Sequence, residues 1–179
     1  MDIPTLETDR LILRGLTDAD LDAYAGMMAD PEVVRYIGGE TMDRADAWRN
    51  MATVAGHWQL RGFGFFALEE KASGDFVGRV GPWMPEGWPA LECGWTLARA
   101  AWGKGYASEA ARRTIAWIFE QKPDLTRIIS VIHEDNVNSQ GVARRIGESQ
   151  TDEIFTYKGG RYPIWAMSRE KFLKKNGLI

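Results

Sequence analysis

Between an apolar extended segment and a helical one the chain reads Trp102-Gly103-Lys104-Gly105-Tyr106-Ala107. Gly103, Gly105 and Ala107 alternate, which strips side chains from a backbone that must turn. A helix start leaves N–H groups without partners and carries roughly +0.5 of a charge. A phosphate satisfies both, and it can approach only where side chains are absent. The loop thus has two readings, a plain strand-to-helix turn or a cradle for a phosphate, above all a pyrophosphate. The P-loop ending Gly-Lys-Ser/Thr is missing, and the dinucleotide pattern Gly-x-Gly-x-x-Gly fails at Ser108.

Other residues with chemistry stand on either side of this loop. Glu92 lies in LECGWTL (91–97), where burial in an apolar strand would raise its pKa and suit it to act as a general base. The alternative is a core-edge glutamate paired with an arginine. His133, at the end of RIISVIH, is a weaker base. Asn136 and Ser139 open NVNSQGVARRIG (136–147) and could either hold a ligand or cap a helix. Cys93 has no neighbour in sequence to activate it and reads as a small core residue rather than a nucleophile.

The elements that must position these residues follow from periodicity and breakers. Strands are expected at 10–14, 64–70, 75–84, 91–97, 127–133, 153–158 and 161–168, and Ser73-Gly74 and Gly159-Gly160 mark hairpin turns. Helices are expected after Thr17, which with Asp20 resembles a capping box, then over about 43–59, from the glycine loop to about Gln121, and over 136–147. Asp30-Pro31 stops the first helix, and a short charged tail ends the chain. Residues 91–133 make one βαβ unit and require at least one parallel pair, while the hairpins around it are antiparallel. The expectation is a single α/β domain over 1–179, with a mixed, twisted sheet of six or seven strands flanked by about four helices.

Composition limits the partners. The 179 residues are 45% hydrophobic, enough for one sizeable core. A net charge of -3 and a pI near 5.5 give no electrostatic case for nucleic acid. One cysteine and two distant histidines offer no disulfide framework and no metal site. No apolar run approaches the roughly 20 residues that cross a bilayer. With no apolar leader core at the N-terminus, a cytoplasmic protein without membrane partners is expected, as a monomer or homodimer.

The segments in this order resemble the GNAT superfamily of N-acetyltransferases. Its acyl-CoA loop has the pattern Gln/Arg-x-x-Gly-x-Gly/Ala; Gly105 and Ala107 fit it, and Trp102 departs from it. LETDRLILR, ADPEVVRYIG, LECGWTL, YASEA, DNVNSQGVARRIG and GGRYPIWAMSREKF are similar to the ribosomal-protein N-terminal acetyltransferase-like branch, over nearly the whole chain.

The resemblance implies acetyl-CoA as co-substrate, no metal, and direct attack on the thioester by a primary amine, from a peptide N-terminus or a small molecule. It implies that Trp95, Thr96 and Leu97, the loop from Trp102 through Gly103, Lys104, Gly105, Tyr106 and Ala107 to Ser108, and Asn136 with Ser139 bind the co-substrate. The pantetheine arm would lie where strands 91–97 and 127–133 splay. Glu92 would be the base. Tyr36, Trp83 and Trp88 would line the acceptor site, with Glu40, Asp43 and Glu86 to attract a cationic amine. Ala143 stands where many members carry an acidic tyrosine, so Ser139 becomes the donor to the leaving thiolate. Glu148 stands where an aromatic is usual. The missing tyrosine keeps a second reading, an acyl-CoA-binding module without turnover; a nucleotide-binding regulatory domain is the third.

Overall fold

The computed structural model describes residues 2–157 and 159–177. Lys158, the end of the expected strand 153–158, lies outside the described residues, as do the last two residues of the tail.

In chain order the elements are β1 (Leu6–Glu7), β2 (Leu11–Arg14), α1 (Leu21–Met28), α2 (Pro31–Val34), α3 (Arg44–Arg61), β3 (Phe66–Glu70), β4 (Phe76–Trp83), β5 (Glu92–Leu97), α4 (Tyr106–Gln121), β6 (Arg127–Val131), α5 (Val137–Ile146), β7 (Ser149–Tyr157), β8 (Gly160–Ser168) and α6 (Arg169–Lys175). The strands form one sheet in the order β1-β2-β3-β4-β5-β6-β8-β7. Only β5 and β6 pair in parallel among the described strands, joined by α4, as the βαβ reading requires.

The described residues hold eight strands and six helices, against the six or seven and about four expected. The additions are short. β1 has two residues and α2 four. Asp30-Pro31 ends α1 and also starts α2: the Asp30 carboxylate accepts the Glu32 N–H at 3.0 Å, and Pro31 occupies the first turn. The charged tail is helix α6, where Ser168 accepts the Lys171 N–H at 3.2 Å and Phe172 is buried. Trp83 closes β4, within the expected strand 75–84.

Alternation along the strands gives the sheet two different faces. Phe66, Val80 and Trp95 share one face by register, together with Cys93, which meets Thr114 of α4 at 3.8 Å. Ala67, Arg79 and Thr96 share the other, where the Arg79 guanidinium donates to Tyr24 of α1 (2.5 Å) and Asn50 of α3 (3.0 Å). Ala111, Ile115 and Ile118 recur at helical spacing and bury α4 against the sheet centre. That burial fixes the start of α4 beside the end of β5.

Candidate active site

The parallel ladder between β5 and β6 breaks almost where it begins. Glu92 and Ile129 are registered partners, and the Ile129 N–H donates to the Leu91 carbonyl at 3.1 Å. Beyond that, side chains replace the backbone ladder. The Val131 N–H donates to Glu92 Oε1 at 3.2 Å, and Ser130 Oγ donates to the Cys93 carbonyl at 2.9 Å. The two strands can part here without leaving these groups unsatisfied.

Next to the split lies a cavity of about 700 Å³. Its wall includes Trp95, Thr96 and Leu97 of β5, the loop from Trp102 to Ser108, and Asn136 and Ser139 at the start of α5. All the residues expected to bind the co-substrate are therefore brought to one surface. Gly103 and Gly105 adopt left-handed φ values of 75° and 83°, conformations that favour glycine. The turn reading of the loop thus holds. The geometry is also that of a cradle: the N–H groups of Tyr106, Ala107 and Ser108 have no backbone acceptor, and a Cβ at Gly103 would meet nothing within 4 Å.

Side chains in the loop are mostly otherwise engaged. The Tyr106 hydroxyl donates to Glu70, and Lys104 Nζ lies 3.6 Å from the same carboxylate. These two residues offer main chain to the cavity. Trp102 Nε1 donates to the Leu97 carbonyl at 2.8 Å, so the indole closes off the end of β5. Arg35 and Arg145 also line the cavity and were missed in the sequence. Arg145 Nε donates to Ser108 Oγ at 3.1 Å, tying α5 to α4. Its signal was available, since Asn138, Gly141 and Arg145 fall on one helical face.

Glu92 stands at the head of the split, 8% exposed, and is not part of the cavity wall. Burial pushes its carboxyl up to about 7, although the Val131 N–H and the Trp88 indole (2.6 Å) both favour the charged form. No arginine pairs with it among the described residues, so the ion-paired alternative is not what the fold builds.

A family model for the acetyltransferase (GNAT) domain matches residues 10–148. This chain belongs to the GNAT acetyltransferase family. A Bacillus subtilis protein described as an uncharacterized N-acetyltransferase, YoaA, is 30% identical over 146 residues, covering 80% of this chain and 82% of the relative. Among solved structures, an acetyltransferase from Agrobacterium tumefaciens superposes with a TM-score of 0.81 at 29% identity, covering 93% of this chain and 95% of that one. A putative ribosomal-protein-serine acetyltransferase from Vibrio cholerae shares the fold, with a TM-score of 0.76 at 20% identity over 94% of this chain and 99% of that one. As a GNAT acetyltransferase the chain is an acyltransferase.

The remaining site residues of this GNAT acetyltransferase fall into distinct contact groups. Asn136 Oδ1 accepts the Ser139 N–H at 3.1 Å and so caps α5, while its amide nitrogen has no hydrogen bond among the described residues. Capping and ligand binding are therefore compatible. Ser139 Oγ accepts the Trp95 indole N–H at 3.1 Å, which leaves its own proton to donate. Trp88 holds Glu92 and meets Phe155 and Tyr157 edge-on at 5.1 and 5.4 Å. Trp83 is in register with Glu92 and is stacked between His57 (4.1 Å) and Phe65 (4.7 Å). Tyr36 lines the cavity and lies 5.2 Å from His133, which meets Tyr162 at 5.7 Å. Asp43 is committed to capping α3, and Glu86 pairs with Arg61 at 3.1 Å. Cys93 is buried, and burial with the nearby Glu148 carboxyl raises its thiol pKa, which matches a core residue. Among the described residues no helix is long and apolar enough to cross a membrane.

Proposed function

We propose that this protein moves an acetyl group from acetyl-CoA to a primary amine by direct attack at the β5–β6 split. The observation that carries this reading is the arrangement of the site around β5. An open row of N–H groups at the start of α4 and Trp95, Thr96 and Leu97 line one cavity, and the strand that supplies those three residues, β5, begins at the buried Glu92 carboxyl.

The N–H groups from Gly103 to Ser108 would hold the pyrophosphate, where only main chain need be offered. The parted edge of β5 at Trp95 and Thr96 would pair with the pantetheine amides as an added strand does, and the unpartnered amide of Asn136 would join it. Acetyl-CoA supplies the activated acyl group. Glu92 takes the proton from the amine, directly or through a water. Ser139 turns its free proton toward the leaving sulfur, a hydrogen bond to developing charge. Tyr36 and Trp88 flank the acceptor, with Trp83 behind Glu92.

The strength of base required depends on the acceptor. A lysine-like amine costs about 4 kcal/mol to deprotonate near neutral pH, and a peptide α-amine costs under about 1 kcal/mol. A carboxyl poised near 7 serves the second comfortably, so a peptide N-terminus is the acceptor we favour, in line with the Vibrio cholerae neighbour. The test is acetyl-CoA-dependent thiol release against a panel of amines that includes short peptides. Acceptor-dependent release is expected. Binding of CoA with no release from any amine would overturn turnover in favour of a binding module.

A further inference from the structure

Glu148 follows α5 and is 3% exposed. Its Oε1 lies 3.0 Å from Ser130 Oγ, and Ser130 Oγ lies 2.9 Å from the Cys93 carbonyl oxygen. A hydroxyl has one proton, and a carbonyl can only accept. The Val131 N–H, next along β6, is turned to Glu92 instead. With Glu148 ionised, the one Ser130 proton can serve Glu148 or the Cys93 carbonyl but not both. With a proton on the Glu148 carboxyl both bonds are made: Ser130 donates to Cys93 and accepts from Glu148.

The surroundings agree. From β5, Glu92 repels a charge on Glu148, and the buried Cys93 thiol offers none. From α4, Thr114 faces Cys93. From α5, Arg144 lies over the Trp165 ring at 5.0 Å and Arg145 is bonded to Ser108. From α6, Lys171 donates to Ser149 and the Lys175 chain packs against Gly147. None of these cations bonds to Glu148, and its Oε2 is buried with no partner. Burial, opposed by the Ser130 hydrogen bond and reinforced by Glu92, raises its pKa well above the ordinary carboxylate value.

We infer that Glu148 is a neutral carboxylic acid that positions the head of the β5–β6 split, by donating to the Ser130 hydroxyl that in turn holds the Cys93 carbonyl beside Glu92. It touches no substrate, and the inference rests on the split being the place of acetyl transfer. Ionising Glu148 would draw the Ser130 proton back, leave the Cys93 carbonyl without its donor, and put a second negative charge behind Glu92. Activity then falls on the alkaline side.

The test uses the whole protein. Glu148→Ala is expected to lower kcat about tenfold while the KM for acetyl-CoA changes little, and Glu148→Gln, a neutral donor of the same shape, to restore kcat to within about threefold of wild type and abolish the alkaline fall. Infrared spectra of the free protein in a Glu92→Gln background should show a protonated-carboxyl band at neutral pH that Glu148→Gln removes. This band needs no acceptor, so it reports on Glu148 even if the acetyl-transfer reading fails. Absence of the band, or a Glu148→Gln variant as impaired as Glu148→Ala, would overturn the inference. If Glu148→Ala fails to fold, the band and the wild-type and Gln pH profiles decide.

Discussion

At the scale of single residues, Glu92 has two conflicting demands on it. Burial favours its neutral form, and the donors from Val131 and Trp88 favour the anion. The outcome, about 7, leaves the base half ionised near neutrality. The rate of acetyl transfer is expected to rise with pH through about 7, ahead of the alkaline fall that ionising Glu148 brings. Replacing Glu92 with Gln should lower kcat by about a hundredfold, remove that acid limb and leave acetyl-CoA affinity nearly unchanged. Wild-type turnover by the variant from pH 6 to 9 would exclude Glu92 from proton transfer.

At the scale of elements, the start of α4 carries the anion site, and its test is local. A Gly105→Glu side chain would enter a left-handed position, with its Cβ 3.5 Å from the Arg10 guanidinium, and add a carboxylate to the loop that carries the open N–H groups. Strain costs about 1–2 kcal/mol, and loss of CoA binding by calorimetry is expected in a protein whose circular dichroism remains native. Retained affinity would show that the pyrophosphate lies elsewhere.

This element was legible in the sequence because loop, cap and helix are all short-range. Gly103, Gly105 and Asn136 announce their backbone roles within a few residues of themselves. The same locality made α2 and α6 hard to see: Asp30-Pro31 is both a stop and a start, and α6 buries only Phe172 within a charged run. Ser130 and Glu148 were not legible as a pair. Eighteen positions separate them, and only the arrangement of β5, β6 and the turn after α5 brings them together. Arg145 gave a helical-face signal but no chemistry until Ser108 lay opposite it. Glu92 was legible as a base candidate, but its hydrogen bonds to Trp88 and Val131 depend on tertiary packing.

At the scale of the whole molecule, the buried acids set how stability depends on pH. Glu92 keeps its proton to about 7 in the folded state but loses it near 4.5 when unfolded, so between these values the unfolded chain binds fewer protons. Stability from this group therefore falls as pH rises across that window, by roughly 3 kcal/mol. Glu148 adds a fall in the same direction. Asp20 works oppositely: burial pushes it up, but Arg14 and Thr17 outweigh this and hold it low, so its contribution is lost as pH drops below the unfolded value. His57, lowered by burial, also opposes the trend near its ordinary value. Comparing Glu92→Gln with wild type isolates one group. Urea midpoints should diverge in favour of the variant from pH 4.5 to about 7 and run parallel above. A constant gap would contradict a neutral, buried Glu92.

The single cysteine gives the molecule an internal stopwatch. Cys93 is 1% exposed and sits between the sheet and α4, where a maleimide or a disulfide reagent cannot reach it without large-scale opening. Native enzyme should therefore contribute no background colour to an assay that counts the thiol of CoA. The labelling rate of Cys93 should instead clock the opening of the core, and it should slow when CoA is bound, by the factor that binding stabilises the closed state. Mass spectrometry of a labelling time course would read this directly; rapid modification of the unliganded native protein would mean that the sheet opens locally at β5.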